Sequence, residues 1–204
     1  MRHNNGRKVF HAASESLVVN LSDREISAAI IEACRSGDRD AFRALYDAYK
    51  DRVYSIALYF FHGDAAVASD VTQHVFLKLI TNMGQFRGDA EFSTWLHRLV
   101  VNACMDSVRR SKPEIVPERA RMEAIAGSDS PEQDYQRVQM AKSVQAAVAS
   151  MPAKFRIAVL LRYFEDLSYE QMSKALQCSM GTVASRLNRG HKMLAEKLKE
   201  LGGK

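Results

Sequence analysis

Three of the four prolines in this 204-residue chain, Pro113, Pro117 and Pro131, fall in one stretch, SKPEIVPERARMEAIAGSDSPEQD. Proline removes a helical hydrogen bond, and the Gly127-Ser128-Asp129-Ser130 run adds a turn-forming break, so no continuous helix should cross this stretch. On both sides of it apolar residues recur at spacings of three and four, which is the helical period. The few runs rich in Val, Ile and Thr lie inside that period. The expected fold is therefore all-α, with two helical domains joined by a flexible linker. The boundaries read as a loose tail over 1–21, a first block over 22–112, a linker over 113–134 and a second block over 135–204. Hydrophobic residues make up 47% of the chain, enough to bury a core.

In the first block, Phe42, Leu45, Tyr46, Tyr49, Val53, Ile56 and Phe60 form one apolar stripe of a long helix, Asp40 to Phe61. Gly37 and Asp38 separate it from a short helix carrying Ile26, Ile30 and Ala33. A third helix runs from about Asp64 to Met83, with Val67, Val71, Val75 and Leu79 inward. After the loop GQFRGDAEF a fourth begins near Ser93 and buries Leu96, Leu99, Val100, Ala103 and Val108. Four helices with short connections make a bundle. The second block opens near Tyr135, with Val138, Val144, Val148 and Met151 on one helix, and continues after Pro152 with KFRIAVLLRYFEDLS.

The segment SYEQMSKALQCSMGTVASRLNRG, residues 168–190, carries the sharpest local signal. Ser168 followed by Gln171 fits a capping box, so a helix should start there and end near Leu176. Gln177 and Cys178 then make a turn, and Ser179 caps a second helix. Two helices joined by so short a turn match a helix-turn-helix. On the second helix Val183, Leu187, Gly190, Leu194 and Leu198 share one arc, while Thr182, Ser185, Arg186, Arg189 and Lys192 share the other. Hydroxyls there can bond phosphates or bases, and guanidinium forks match guanine O6 and N7 in a major groove. An ordinary solvated basic face has the same composition, but the turn and the two caps argue against it.

A net charge of +5 agrees with an anionic partner without naming nucleic acid. Three widely spaced cysteines, Cys34, Cys104 and Cys178, form no CxxC pair and read as small buried residues in a reducing compartment. No stretch is apolar enough for a signal peptide or a membrane span, so a cytoplasmic location is expected. The six histidines show no metal-ligand spacing, and Gly-rich phosphate loops, GxSxG and HExxH are absent, so neither a metal, a cofactor nor an enzymatic activity is expected. His97 and His191 read as surface or DNA-proximal groups. Glu165 and Asp166 read as acids of the turn before Ser168 and not as an acid and base pair.

The stretch MPAKFRIAVLLRYFEDLSYEQMSKALQCSMGTVASRLNRGHKML resembles region 4 of bacterial RNA polymerase sigma factors of the extracytoplasmic function class. DVTQHVFLKLITNMGQFRGDAEFSTWLHRLVVNACMDSVRRSK is similar to their region 2. With the helix from Asp40 to Phe61, the resemblance covers about four fifths of the chain in the family's order. It implies a region 2 bundle that binds core polymerase and the minus-10 element, and a region 4 helix-turn-helix that binds duplex DNA at minus-35. It implies a docking face of Asp70, Gln73, His74 and Leu77 for the beta-prime clamp helices, a coiled coil. It also implies a loop, Thr81 to Phe92, that holds a base flipped from the minus-10 strand, with Asn82, Met83, Gln85 and Phe86 as candidates; extracting a base costs a few kcal/mol. Arg98, Asn102, Met105 and Arg109 share a face of the next helix, with Arg110 and Lys112 beyond, and cations there can follow a single strand. Trp95 and Phe92, in FSTWL, read as core anchors in preference to stacking platforms.

The family usually enters the docking helix through an acidic run. Here VASDVTQH leaves Asp70 but places Val67, Ser69 and His74 where acids are usual. Lost negative charge should weaken docking to a basic surface. One explanation is drift with a compensating partner; the other is a switch in which a Ser/Thr kinase modifies Ser69 or Thr72 and restores about −1.5 to −2 of charge. The resemblance also implies an anti-sigma protein wedged between the modules. Two other function classes fit the helix-turn-helix: a repressor or activator with an N-terminal ligand or dimer domain, which needs a symmetric operator, and an adaptor that binds polymerase without promoter contact.

Overall fold

The computed structural model of the chain describes residues 28–88, 91–110 and 143–202. The tail, the linker at 113–134, and Ile26, Lys112, Tyr135 and Val138 lie outside the described residues. The elements are α1 (Ala28–Arg35), α2 (Arg39–Phe60), α3 (Ala65–Asn82), a 3-10 turn (Met83–Gln85), α4 (Phe92–Arg110), α5 (143–149), α6 (Ala153–Tyr163), α7 (Tyr169–Leu176) and α8 (Met180–Gly202). Every described element is helical, as the apolar spacing predicts.

Helix starts are written locally. Asp38 accepts the Ala41 N–H at 2.9 Å before α2, and Asp64 accepts those of Ala66 and Val67 at 3.1 Å before α3. Each carboxylate satisfies first-turn donors that lack a partner within the helix. Gly37 and Gly63, both at φ 85°, make the turns into these helices, in backbone conformations that side chains disfavour.

In the first block α2 packs on α3, α3 on α4, and α1 against α2. The core holds Leu45, Val53, Ile56 and Phe60 from α2, Val75 and Leu79 from α3, and Val100, Ala103 and Cys104 from α4. Phe92 and Trp95 are buried as the anchors expected of FSTWL. Two members of the predicted stripes lie outside this core. Tyr46 is 45% exposed, on the rim, with its ring against Phe76 at 4.8 Å. Val108 is exposed because the last turn of α4 runs past the bundle: burial gives way after Cys104 and is lost from Val108 to Arg110. Val67 is half-buried.

In the second block Ser168 and Gln171 form the reciprocal capping box, with bonds of 3.2 and 2.8 Å. Gln177 takes a left-handed conformation, φ 49°, at the end of α7, and Cys178 N–H reaches back to Ser173 O at 3.1 Å. Ser179 then accepts the Thr182 N–H at 3.2 Å to start α8. Val144, Val148 and Met151 are buried as predicted, together with Ile157, Leu161, Met172, Val183 and Leu187. Cys34 and Cys104 are buried, whereas Cys178, in the turn, is only half-buried.

The blocks do not stand apart. α2 packs on α6 and α4 packs on α7, so one buried cluster runs through both. Arg156 of α6 reaches Phe60 O, at the end of α2, at 2.6 Å, Ala149 O, at the end of α5, at 2.9 Å, and Met151 O, just beyond it, at 2.7 Å. One guanidinium therefore binds carbonyls at two helix ends, one from each block, where the helix dipole favours a cation. Phe164 lies on Tyr59 with ring centroids 4.6 Å apart.

Gly190 sets the approach of α6 to α8. A Cβ there would sit 2.8 Å from Val159 Cγ2, and Val159 is itself fully buried and branched. Gly190→Val should destabilise the chain by about 2 kcal/mol through overpacking, lowering Tm by roughly 4 to 8 °C. Gly181→Ala, whose added methyl meets only Ser179 Oγ at 3.9 Å, should leave Tm unchanged or slightly raised. Equal melting of Gly190→Val and the parent in calorimetry would contradict this packing.

Candidate nucleic-acid interface

α8 presents two faces with different tasks. Val183 and Leu187 are buried against the second block, which leaves Ser185, Arg189 and Lys192 exposed and Thr182 and Arg186 half-buried on the other side. Arg186, Arg189 and Lys192 make no ion pair among the described residues, so their donors are free for an anionic surface. Thr182 Oγ1 lies 3.0 Å from Ser179 Oγ, and Ser185 Oγ donates to Thr182 O at 2.9 Å. These local bonds fix both hydroxyls and leave their lone pairs outward. Met180, at the start of α8, and Tyr169, at the start of α7, are also exposed, and neither was singled out from the sequence.

The loop after α3 divides into support and surface. Gln85 is exposed and its Nε2 donates to half-buried Asn82 Oδ1 at 3.2 Å. Phe86 is half-buried, 5.6 Å from Phe92 and 5.4 Å from Trp95 by ring centroids, so one ring edge rests on a fixed aromatic pair. Met83 departs from its expected place: it is 2% exposed and plugs the core, because the 3-10 turn points it inward. It holds the loop in place and presents no surface to a base.

On α4, Arg98, Asn102 and Met105 are half-buried and Arg109 is exposed. Their spacing of four, three and four places them on one stripe. Arg109 and Lys78 each approach Asp106 at 3.4 Å, long pairs, the first exposed and the second half-buried, of little energetic weight. His97 is not a surface group. It is buried, with Nε2 2.8 Å from a Glu165 carboxylate oxygen that also pairs with Arg52. Since the carboxylate accepts, Nε2 carries the proton in this arrangement. Glu165 lies in the turn as expected, yet its side chain is 3% exposed. Arg52, Arg156 and this burial were missed from sequence, where the one available signal was arginine embedded in the apolar run FRIAVLL.

α3 offers a mixed stripe. Ser69, Asp70 and Gln73 are exposed, His74 is half-buried, and Leu77 and Ile80 are 62% and 51% exposed. At 100° per residue Ser69, Gln73, Leu77 and Ile80 fall within one arc of about 80°. Ile80 was not among the residues singled out. Asp70 is the one acid within α3. Burial, then Lys78 and Arg110, hold the His74 imidazole below its ordinary pKa, so it brings little positive charge to this face near neutral pH. Thr72 lies apart from the arc, 8% exposed, with its hydroxyl donated to Ala68 O at 2.7 Å. Of the two hydroxyls, Ser69 alone is open on the packed chain.

Comparison with known proteins places these surfaces in a family. The sigma-70 region 2 family profile matches residues 45–114, and the sigma-70 region 4 profile matches residues 141–194. The ECF RNA polymerase sigma factor SigW of Bacillus subtilis is 30% identical over 180 residues, spanning 84% of this chain and 96% of that protein. The ECF RNA polymerase sigma factor SigE of Mycolicibacterium smegmatis is 35% identical over 191 residues, spanning 88% of this chain and 70% of that one. Among solved structures, CnrH in complex with the cytosolic domain of CnrY matches with a TM-score of 0.60 at 18% identity, over 84% of this chain and 96% of that one. The sigma factor RpoE of Bartonella quintana, in complex with the anti-sigma factor NepR, matches with a TM-score of 0.62 at 21% identity, over 78% of this chain and 96% of that one. With both regions present in order and SigW matched over nearly its whole length, the chain belongs to the extracytoplasmic function class of RNA polymerase sigma factors.

Proposed function

We propose that the chain binds core RNA polymerase through the α3 stripe, reads duplex minus-35 DNA with the polar face of α8, and opens and holds minus-10 DNA with α4 and the 3-10 loop. The observation that carries this reading is the unpaired basic face of α8, set outward by a helix-turn-helix whose other face is buried. The polymerase supplies the chemistry, and the chain acts in the cytoplasm, where core enzyme and promoter are. Asn82, Gln85 and Phe86 line the flipped base while Arg98, Asn102, Met105 and Arg109 follow the strand; Phe86 is already braced by Phe92 and Trp95. RpoE of Bartonella quintana is seen with an anti-sigma factor, NepR, and an anti-sigma partner for this chain is part of the same reading.

The docking stripe of Asp70, Gln73, His74 and Leu77 is short of acid. A kinase acting on the folded chain reaches Ser69, which shares the arc with Gln73, Leu77 and Ile80, and a phosphate there adds the missing charge. Thr72 accepts a phosphate only if the packing between α2 and α3 opens.

Two experiments test these assignments. Arg186→Ala and Arg189→Ala should each weaken binding to a minus-35 duplex by about 1 to 3 kcal/mol while leaving core binding intact; unchanged affinity in both would remove α8 from the base-reading role. Core polymerase should bind the parent weakly and Ser69→Asp about tenfold more tightly. Tightening by Thr72→Glu alone would move the switch to Thr72, and no tightening by either would dismiss it.

A further inference from the structure

We infer that Glu165 is a latch that holds the two sigma regions closed against each other, and that the closed chain cannot engage both promoter elements at once. The inference about DNA rests on the sigma reading; the latch itself rests on geometry. Glu165 lies in the turn between α6 and α7, in the second block, and its partners Arg52 of α2 and His97 of α4 are both in the first. The turn is shaped to present it. Asp166 takes a left-handed conformation, φ 48°, and bonds outward to Arg162 at 3.3 Å, while Glu165 faces the other way and is 3% exposed. Arg52 from α2 and His97 from α4 reach the same Glu165 carboxylate oxygen, so the first block offers a two-donor socket for a carboxylate. Gln171 Nε2 to Glu91 Oε2, at 3.2 Å, adds a second polar contact across the same seam.

The consequence follows from distance. The centres of the two elements lie about 25 base pairs apart, which at ~3.4 Å per pair is about 85 Å of duplex. In the closed chain α4, the proposed minus-10 helix, packs directly on α7, which precedes the minus-35 helix by one turn. Packed helix axes lie roughly 8 to 10 Å apart, and a compact body of about 140 residues, the number described, has a radius of gyration of about 14 Å. No point on such a body is 85 Å from another. The exposed face of α8 can still meet a minus-35 duplex alone, so the latch withholds the second contact and not the first.

A buried carboxylate held by two donors is a poised element, because removing either side leaves a charge in a closed seam without its partner. Binding of the first block to core enzyme, or of a partner that inserts an acidic side chain into the Arg52 and His97 socket, displaces Glu165 and releases region 4.

Small-angle scattering and hydrogen exchange on the full chain, without polymerase or DNA, test the latch separately from the function. The parent should be compact, and Glu165→Gln and Arg52→Ala should raise the radius of gyration by several Å and speed amide exchange in α4 and α7, with helicity by circular dichroism unchanged. If Glu165→Gln loses helicity, Arg52→Ala, whose side chain is the more exposed, decides. A parent already as extended as the variants, or variants as compact and protected as the parent, would overturn the latch. Opened variants that bind two-element DNA with core enzyme no better than the parent, yet bind a minus-35 duplex equally, would overturn the DNA consequence; failure of all DNA and core binding with opening intact would indict the sigma reading and leave the latch standing.

Discussion

The guanidinium of Arg156 sets how α6 seats against α2, the packing within which the rest of the seam forms. It is buried, stacks over the Phe60 ring at 5.2 Å, and binds carbonyls at the ends of α2 and α5. Burial lowers its pKa to about 10, which still leaves it charged at any physiological pH. A buried cation needs partners within hydrogen-bonding reach, and helix C-termini supply them in fixed directions. The position of α6 relative to α2 is set by this charge as much as by apolar packing. His62, just past α2, feels the same group: burial first and then Arg156 push its pKa down to about 4, so it stays neutral beside the cation.

From that seam the functional faces follow. α4 turns one side to the core and to α7 and leaves Arg98, Asn102 and Arg109 toward solvent. α8 is pinned by Gly190 against Val159, which fixes the rotation that aims Ser185, Arg189 and Lys192 outward. α3 keeps Leu77 and Ile80 uncovered, an apolar strip in a polar frame that no helix among the described residues hides. The three surfaces are thus the remainders of three buried faces, and their directions are consequences of core packing.

Much of this was legible because it is local. The capping box at Ser168 and Gln171, the Ser179 cap and the Asp64 start of α3 are written in a few consecutive residues, and the helices begin where those signals place them. What escaped depends on partners far along the chain. Periodicity gives the phase of a stripe but not how far a neighbour covers it, so Tyr46 and Val108 were placed inside although they lie at a rim and an overhanging end. Met83 looked like a loop residue until the 3-10 turn directed it inward. His97, Arg52 and Glu165 carry ordinary surface chemistry, and the side chains of His97 and Glu165 are buried, with Arg52 half-buried, where the two blocks meet.

The central claim is that this chain directs polymerase to a two-element promoter, and abortive transcription with purified core polymerase on a promoter library tests it most directly. The account predicts initiation only when the chain is added, confined to sites that share a minus-35 and a minus-10 element, and stronger with Ser69→Asp. Initiation independent of promoter sequence, or none with either Ser69→Asp or Thr72→Glu present, would contradict it.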